Sequence, residues 1–329
     1  MRNLLSSLYT FAKLGFGVYY TAKKDCKNLL KEHAKAFDSS ALPQSRIAFY
    51  CVQSHLTTSW FQSLRGKKAT ATEKRNALLI GALTPILDDF TDDEELVSDR
   101  IIAKLQASPK SLPGLLYNEL QENCPEHFHS IFRKALEAQD LSLQQLQKEK
   151  LSLDQLLVIS KAKGGYFTLL FRTCLEHSIS IEEKEMILNL GLLLQQCNDI
   201  FDIYKDREKG QQTFIFSCNS LDEAKNCYLN TFSTFKKALF SLEAKASNKM
   251  RCFRQISPIH TRALVCFKQL EKVLTNENLG QSIRKASRKD LICDMEKPSN
   301  LLLSFSYAIA ANKTFYQELK SHEKAHIPR

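Results

Sequence analysis

Apolar residues recur at three- and four-residue spacing through most of the chain, and this period predicts one helix after another. Five predicted helix starts carry Ser or Thr followed three residues later by Glu or Gln, the capping-box pattern. These starts are Thr70/Glu73, Ser142/Gln145, Ser152/Gln155, Ser180/Glu183 and Ser220/Glu223. Breaks between helices are predicted at 38–45, 66–70, 108–114, 207–214 and 296–300. Because the 329 residues include only 10 Gly and 8 Pro, we predict a single all-α domain over 1–329, with about ten helices.

The charge balance narrows the classes of partner. Forty-six Lys and Arg against 36 Asp and Glu give a formal net charge of +10, which suits a nucleic acid, a membrane surface or a phosphorylated small molecule. The basic residues are spread along the chain, and neither zinc-finger spacing nor an RNA-binding aromatic signature is present. We therefore expect no nucleic-acid partner.

The cysteines and the N-terminus bear on the compartment. The 10 Cys form no CxxC pair and several lie in apolar helical runs, which is typical of small buried side chains in a reducing compartment. The N-terminal residues lack the apolar core and cleavage site of a secretory signal, and no stretch of 18 uncharged apolar residues occurs. We expect a cytoplasmic protein whose N-terminal helix makes at most peripheral contact with a membrane.

The first of two acidic segments is "ALLIGALTPILDDFTDDEEL", which delivers Asp88, Asp89 and Asp92 to the end of a predicted helix. Residues three and four apart share one helix face, and Mg²⁺ prefers carboxylate oxygen, so Asp88 and Asp92 are candidate ligands. Acidic residues are unfavourable at a helix C-terminus, and a bound cation would offset that cost. The alternative is a solvated acidic helix end, since Asp93 continues the run.

The second acidic segment is "NDIFDIYKD". Asn198, Asp202 and Asp206 lie four residues apart along one side of a predicted helix and form a ladder of candidate Mg²⁺ ligands. Asp199 and Asp202 are embedded among apolar residues, and buried carboxylates need partners. The alternative is an amphipathic helix with an acidic outer stripe.

Glycines precede both acidic segments at the same distance. Gly81 lies seven residues before Asp88, and Gly191 lies seven before Asn198. Glycine inside a helix costs about 1 kcal/mol relative to alanine, so it usually has a spatial reason. Space for a hydrocarbon tail and close packing of two helices are both open explanations.

A third feature is the run "ISKAKGGYFTLLFR", in which Gly164 and Gly165 interrupt an apolar helical pattern. Adjacent glycines allow a kink or a short break that would expose backbone groups to a substrate; an ordinary helix–turn–helix junction is the alternative. Basic residues near this run and near the second acidic segment are candidates for binding phosphate. They are Lys161, Lys163, Arg172, Lys205 and Arg207.

Together these motifs resemble the class I isoprenoid synthase superfamily of terpene cyclases and polyprenyl diphosphate synthases. "DDFTD" fits the DDxxD motif, and "LQQCNDIFD" is similar to the second prenyltransferase motif, FQxxDDxxD. "NDIFDIYKD" is also similar to the terpene-synthase triad (N/D)DxxSxxxE, and "KGGYFTLLF" to the KTGxLxxxx segment. The resemblance covers about 70–210, between N-terminal helices 1–65 and C-terminal helices 215–322.

The resemblance implies a helical bundle with a central apolar pocket, in which the two acidic segments face each other. It implies ionisation of an allylic prenyl diphosphate by three Mg²⁺ ions, followed by cyclisation. Lys163, Gly164, Gly165 and a late aromatic residue, Tyr307, would be catalytic; superfamily members are often dimers, so a homodimer is allowed. The metal ligands would be Asp88, Asp89, Asp92, Asn198, Asp199, Asp202 and Asp206.

Differences from the family motifs help to distinguish a terpene synthase from a prenyltransferase. Only Arg100 stands where chain-elongating enzymes carry an Arg pair, Gly66-Lys67-Lys68 only echoes their isopentenyl diphosphate segment, and the late Arg-Tyr pair of terpene synthases is missing. The weak second-substrate site favours a class I terpene synthase with one substrate. A chain-elongating or head-to-head prenyltransferase is the first alternative, and a non-catalytic helical binding protein is the second.

Overall fold

The computed structural model describes residues 17, 19–33, 43–92, 94–124, 128–274 and 278–325. These residues form helices joined by short loops, without a strand among them, so the all-α prediction is confirmed for this part of the chain. The predicted break at 38–45 and the start of the N-terminal helix lie largely outside it. None of the described helices is both long and apolar enough to cross a membrane.

The chain divides into two compact units. The first contains the described residues up to 140 together with 166–179, and in it α3 packs along α2 and α5, with α1 against α2. Its helices are α1 (Tyr19–Glu32), α2 (Gln44–Arg65), α3 (Ala71–Asp92), α4 (Ser98–Ala107), α5 (Leu112–Asn123) and α6 (Phe128–Ser142).

The second unit contains 141–165 and the described residues from 180 onward, and α7 (Leu153–Arg172) contributes residues to both units. In the second unit the last long helix packs along the helix Ala246–Leu270, which also contacts the helix Ile181–Phe201. A short 3₁₀ turn, Leu143–Leu146, precedes α7. The helices that follow α7 are α8 (Ile181–Phe201), α9 (Ile203–Lys209), α10 (Phe214–Ser217), α11 (Leu221–Ser241), α12 (Ala246–Leu270), α13 (Leu279–Lys285), α14 (Arg288–Leu291) and α15 (Pro298–Ala325).

Each unit has its own apolar core. In the first, side chains such as Phe61, Leu83 and Leu116 are buried between α2, α3 and α5. In the second, aromatic rings fill the space between long helices, and the rings of Phe253 and Phe315 stack with centroids 3.8 Å apart. Aromatic side chains bury large areas, so these contacts between α12 and α15 stabilise the second unit strongly.

The predicted capping boxes are largely confirmed. The Thr70 hydroxyl accepts a hydrogen bond from the backbone N–H of Glu73, whose carboxylate accepts one from the backbone N–H of Thr70. Ser152 forms the same reciprocal pair with Gln155 at the start of α7. The hydroxyls of Ser180 and Ser220 cap α8 and α11, and the Glu223 carboxylate accepts from the backbone N–H of Asn219. The box predicted at Ser142 is wrong, because this residue ends α6 in helical conformation and its side chain makes no cap bond.

Glu73 also joins three segments of the first unit. Its carboxylate has no exposed surface and forms two hydrogen bonds with the Arg65 guanidinium, at 2.6 and 2.9 Å. The backbone N–H of Glu176 donates to the same carboxylate at 3.0 Å. Burial raises the pKa of Glu73, but the hydrogen bonds from Arg65, Glu176 and Thr70 outweigh burial and lower it to about 2. The end of α2, the start of α3 and the loop after α7 therefore depend on this one charge.

We expect Glu73→Gln to destabilise the protein by about 3 kcal/mol at pH 7, because Arg65 loses its buried counter-ion. A carboxyl whose pKa is lower in the folded than in the unfolded protein stabilises above the unfolded pKa, near 4.5, and the contribution is lost as pH falls toward 2. Urea unfolding from neutral to acidic pH measures this difference. Exposed Glu122, replaced by Gln, is the matched control; equal losses in both variants, or a loss independent of pH, would contradict the assignment.

Candidate functional site

The second acidic segment folds into two helices that meet at Asp202. The last turn of α8 contains Asp199, the helix ends at Phe201, and α9 begins at Ile203. Asp202 between them has φ −90° and ψ 10°, a sparsely populated region. Its backbone N–H still donates to the carbonyl of Asn198 at 2.8 Å, so the chain direction is largely kept across the junction.

Asp199 is the most deeply buried carboxylate of this segment, with 1% of its surface exposed. Its Oδ1 accepts a hydrogen bond from Gln195 Nε2 at 2.8 Å, whereas Oδ2 has no hydrogen-bond partner among the described residues. Burial raises the pKa of Asp199 to about 7, the Gln195 hydrogen bond lowers it in part, and the charge of Asp206 raises it further. A buried carboxylate oxygen without a partner is costly, and a cation would relieve that cost.

Asp206 is in a similar position on α9, with 6% of its surface exposed. Burial raises its pKa to about 7, the charge of Asp202 raises it further, and Lys205 and Lys163 lower it. Lys163 from α7 also lowers the pKa of Asp199, so this ammonium group acts on both buried carboxylates. The structure thus brings together four of the residues singled out in the sequence, here named the acidic cluster: Lys163, Asp199, Asp202 and Asp206.

The ligand ladder predicted from spacing differs in one residue. Asn198 is exposed, whereas its neighbour Asp199 is buried beside Asp206. Asp199 precedes Asp202 by three residues and Asp206 by seven, so it shares a helix face with both. Burial of this side of α8 adds Asp199 to the group and leaves Asn198 exposed.

The close crossing of α7 and α8 explains the glycines of both helices. A Cβ on Gly191 would lie 2.3 Å from the Gly165 backbone, and one on Gly164 would lie 2.2 Å from the Gly191 carbonyl oxygen. The same holds in the first unit, where a Cβ on Gly81 would lie 2.7 Å from Cys51 Cα. Of the two explanations left open for Gly81 and Gly191, close helix packing is therefore the one the structure gives.

The expected break at Gly164 and Gly165 does not occur, because α7 continues as an α-helix through both residues. No backbone group is released there, so these glycines do not meet a substrate in the expected way. These glycines let α8 approach α7 closely, and Lys163 on α7 thereby lies near the carboxylates of the acidic cluster.

The other basic candidates have protein partners. Arg172 is fully buried and donates to the carbonyl oxygens of His177 and Ser178, which corrects its assignment to diphosphate binding, because a ligand cannot reach it. Lys161 forms an ion pair with Glu185 at 2.8 Å. Arg207 donates to the carbonyl oxygens of Ile283 and Ala286 at 3.0 and 2.7 Å, so it ties α9 to the α13–α14 region.

Of the remaining candidates, Lys205 keeps an exposed ammonium group, 3.7 Å from Asp202 Oδ2. It is therefore available to phosphate. Tyr307 lies half-buried in the middle of α15, where its predicted catalytic part stays a prediction.

The first acidic segment belongs to the first unit and ends α3 there. The Tyr50 hydroxyl donates to Asp88 Oδ2 at 2.6 Å, and Arg46 Nη1 lies 2.5 Å from Asp89 Oδ1. Burial and the charge of Asp88 raise the pKa of Tyr50, so the phenol stays protonated. Asp92 is the last residue of α3, and its side chain, like all of Asp93, lies outside the described part.

Sequence reasoning did not single out Arg46 and Tyr50. The one signal was that Arg46 is the only Asp, Glu, Lys or Arg between Gln44 and Leu64, so it is the one such charge on α2 before the terminal Arg65. An isolated charge on such a helix is usually paired across the fold.

Among the described residues, no group of three or more His, Cys, Asp or Glu side chains is arranged to hold a metal ion. Mg²⁺ does not need such a group, since it usually keeps several waters and binds one or two carboxylates together with substrate phosphates. Asp199 with its unpartnered Oδ2 and Asp206 with its raised pKa fit that mode of binding. No protein-family model matches this chain, and no curated protein shows significant sequence similarity to it.

We expect Gly191→Ala to destabilise the protein by about 3 kcal/mol, because the added methyl group requires α7 and α8 to separate. Gly280→Ala is the matched control, since its Cβ would meet nothing closer than 4.0 Å. Chemical denaturation measures both. A Gly191→Ala protein as stable as the control would contradict the close crossing.

The two raised pKa values predict that the metal-free protein loses stability as pH rises. The folded protein keeps protons on Asp199 and Asp206 up to about pH 7, whereas the unfolded chain releases them near pH 4, so ionisation above pH 5 opposes folding. Asp199→Asn should reduce this loss by about 2 kcal/mol between pH 5 and pH 8. Urea unfolding at both pH values, with exposed Asp154→Asn as control, measures the effect; identical pH profiles for wild type and Asp199→Asn would contradict it.

Proposed function

We propose that this chain is a Mg²⁺-dependent enzyme acting on a prenyl diphosphate, a class I terpene synthase that ionises one allylic substrate. One observation carries the proposal: Asp199 and Asp206 are buried carboxylates with raised pKa values, and the ammonium group of Lys163 acts on both. Metal-free, this arrangement costs folding free energy. Carboxylates with strongly raised pKa values are concentrated at functional sites, so we expect Asp199 and Asp206 to bind a cation.

The parts of the cluster have separate tasks in this proposal. Asp199 and Asp206, with Asp202 beside them, would hold Mg²⁺ together with substrate phosphate, and the ion would supply Lewis-acid stabilisation to a leaving diphosphate. Lys163 is held near the carboxylates by the glycine crossing and binds phosphate oxygen directly. Lys205, with its exposed ammonium group, adds a second positive charge.

The first acidic segment is a separate candidate within its own unit. Asp88 and Asp89 are bound by Tyr50 and Arg46, so a metal ion at these carboxylates would have to replace at least the Arg46 contact.

We expect Mg²⁺-dependent release of pyrophosphate from geranyl, farnesyl or geranylgeranyl diphosphate, assayed with and without isopentenyl diphosphate and followed by mass spectrometry of the products. Release from a single allylic substrate supports the terpene synthase. Release only with isopentenyl diphosphate, or a coupled product of two allylic units, identifies a prenyltransferase. No release from any substrate favours the non-catalytic alternative.

Matched variants tie the activity to the acidic cluster. Asp206→Asn should lower turnover by about a hundred-fold or more, because a metal ligand is lost. Asp154→Asn removes an exposed acid of the same unit and should leave turnover unchanged. Circular dichroism checks folding, and calorimetry with Mg²⁺ checks binding; full activity in Asp206→Asn would remove this carboxylate from the mechanism.

A further inference from the structure

The outer face of α1 has a one-sided arrangement of charge. Lys23, Lys27 and Lys31 are spaced four residues apart, so they follow one line along the helix. Lys24 and Tyr20 lie beside that line, and all five residues are exposed, Tyr20 with 66% of its surface. We name these five residues the basic stripe.

The acidic residues of α1 lie away from the basic stripe. At about 100° per residue, Asp25 and Glu32 project to the side of the helix beyond it. Glu32 is an ion-pair partner of Arg75 on α3, 2.6 Å away. The acids therefore do not neutralise the lysines, and the stripe presents four positive charges together.

The rest of α1 is fixed, so the stripe is held in a constant position. Ala22, Cys26, Leu29 and Leu30 are buried, and the helix packs along α2. Burial of these four side chains orients the opposite face of α1, and with it the lysines, toward solvent.

The four lysines of the basic stripe have no ion-pair partner among the described residues. The Lys23 ammonium group lies 5.5 Å from the Tyr19 ring, and Tyr19 has 43% of its surface exposed. Exposed ammonium groups next to exposed tyrosines suit a helix that rests on lipid headgroups, because lysines reach the phosphates and tyrosine rings fit the boundary between polar and apolar layers.

We propose that the basic stripe binds the surface of an anionic lipid bilayer, with α1 lying parallel to it. A flat surface can contact all four lysines at once, since Lys23 and Lys31 are only about 12 Å apart along the helix axis. The stripe lies on one convex helix and forms no groove that could follow the backbone of a single-stranded nucleic acid. Exposed Tyr20 at the N-terminal end of the stripe also favours lipid over an acidic peptide. The inference does not rest on the proposed enzymatic function.

The test is co-sedimentation of the full-length protein with vesicles of phosphatidylcholine alone and with phosphatidylserine added. Each lysine near an anionic surface strengthens partitioning about five-fold, so Lys27→Gln with Lys31→Gln should lower partitioning onto anionic vesicles about twenty-five-fold. Lys148→Gln with Lys150→Gln removes the same charge from an exposed loop and is the control. Tyr20→Ser should weaken binding without changing its dependence on salt.

Three results would overturn the proposal. They are equal binding to neutral and anionic vesicles, an equal loss in the stripe variant and its control, and no vesicle binding by a protein that is retained by heparin or RNA. Circular dichroism of each variant shows that α1 remains folded, which is expected because the substituted side chains are exposed.

Discussion

The close crossing of α7 and α8 is the contact on which the candidate site depends. Gly164, Gly165 and Gly191 let the two backbones approach to a distance that any side chain would prevent. This approach places Lys163 within electrostatic reach of Asp199 and Asp206, which follow Gly191 on α8 and α9. Packing and chemistry are therefore coupled: a methyl group at the crossing would disturb the helix pair and the charge cluster together.

The acidic cluster that results has an unfavourable free energy of desolvation. Carboxylates are taken out of water, and the cost appears as pKa values near 7 and as an unpartnered oxygen on Asp199. Glu73 shows what the same residue type does when its hydrogen bonds are complete: its pKa falls to about 2 and it holds three segments together. The contrast separates a carboxylate with complete hydrogen bonds from carboxylates whose burial is not compensated among the described residues.

Much of the local structure could be predicted. The helical period, the hydroxyl caps at four of the five predicted helix starts and the importance of the glycines follow from residue types and short spacing, because caps and helix faces depend on neighbours within one turn. The acidic segments, including Asp199, were also visible as runs of carboxylates. What spacing alone missed was that Asn198 is exposed, and that Arg46 and Tyr50 on another helix are partners of Asp89 and Asp88.

The sequence by itself determined that the described part of this protein is helical, where several helices begin, and which carboxylates and lysines are concentrated in short segments. Only the tertiary structure decided which of them are buried, which are paired and which stay exposed. Arg172 and Lys161 look equivalent to Lys163 in the sequence. In the structure, however, Arg172 is buried and donates hydrogen bonds to carbonyl oxygens, and Lys161 forms an ion pair with Glu185. The reason is physical: local pattern fixes hydrogen bonds within a helix, whereas desolvation and ion pairing depend on chain segments far apart in sequence.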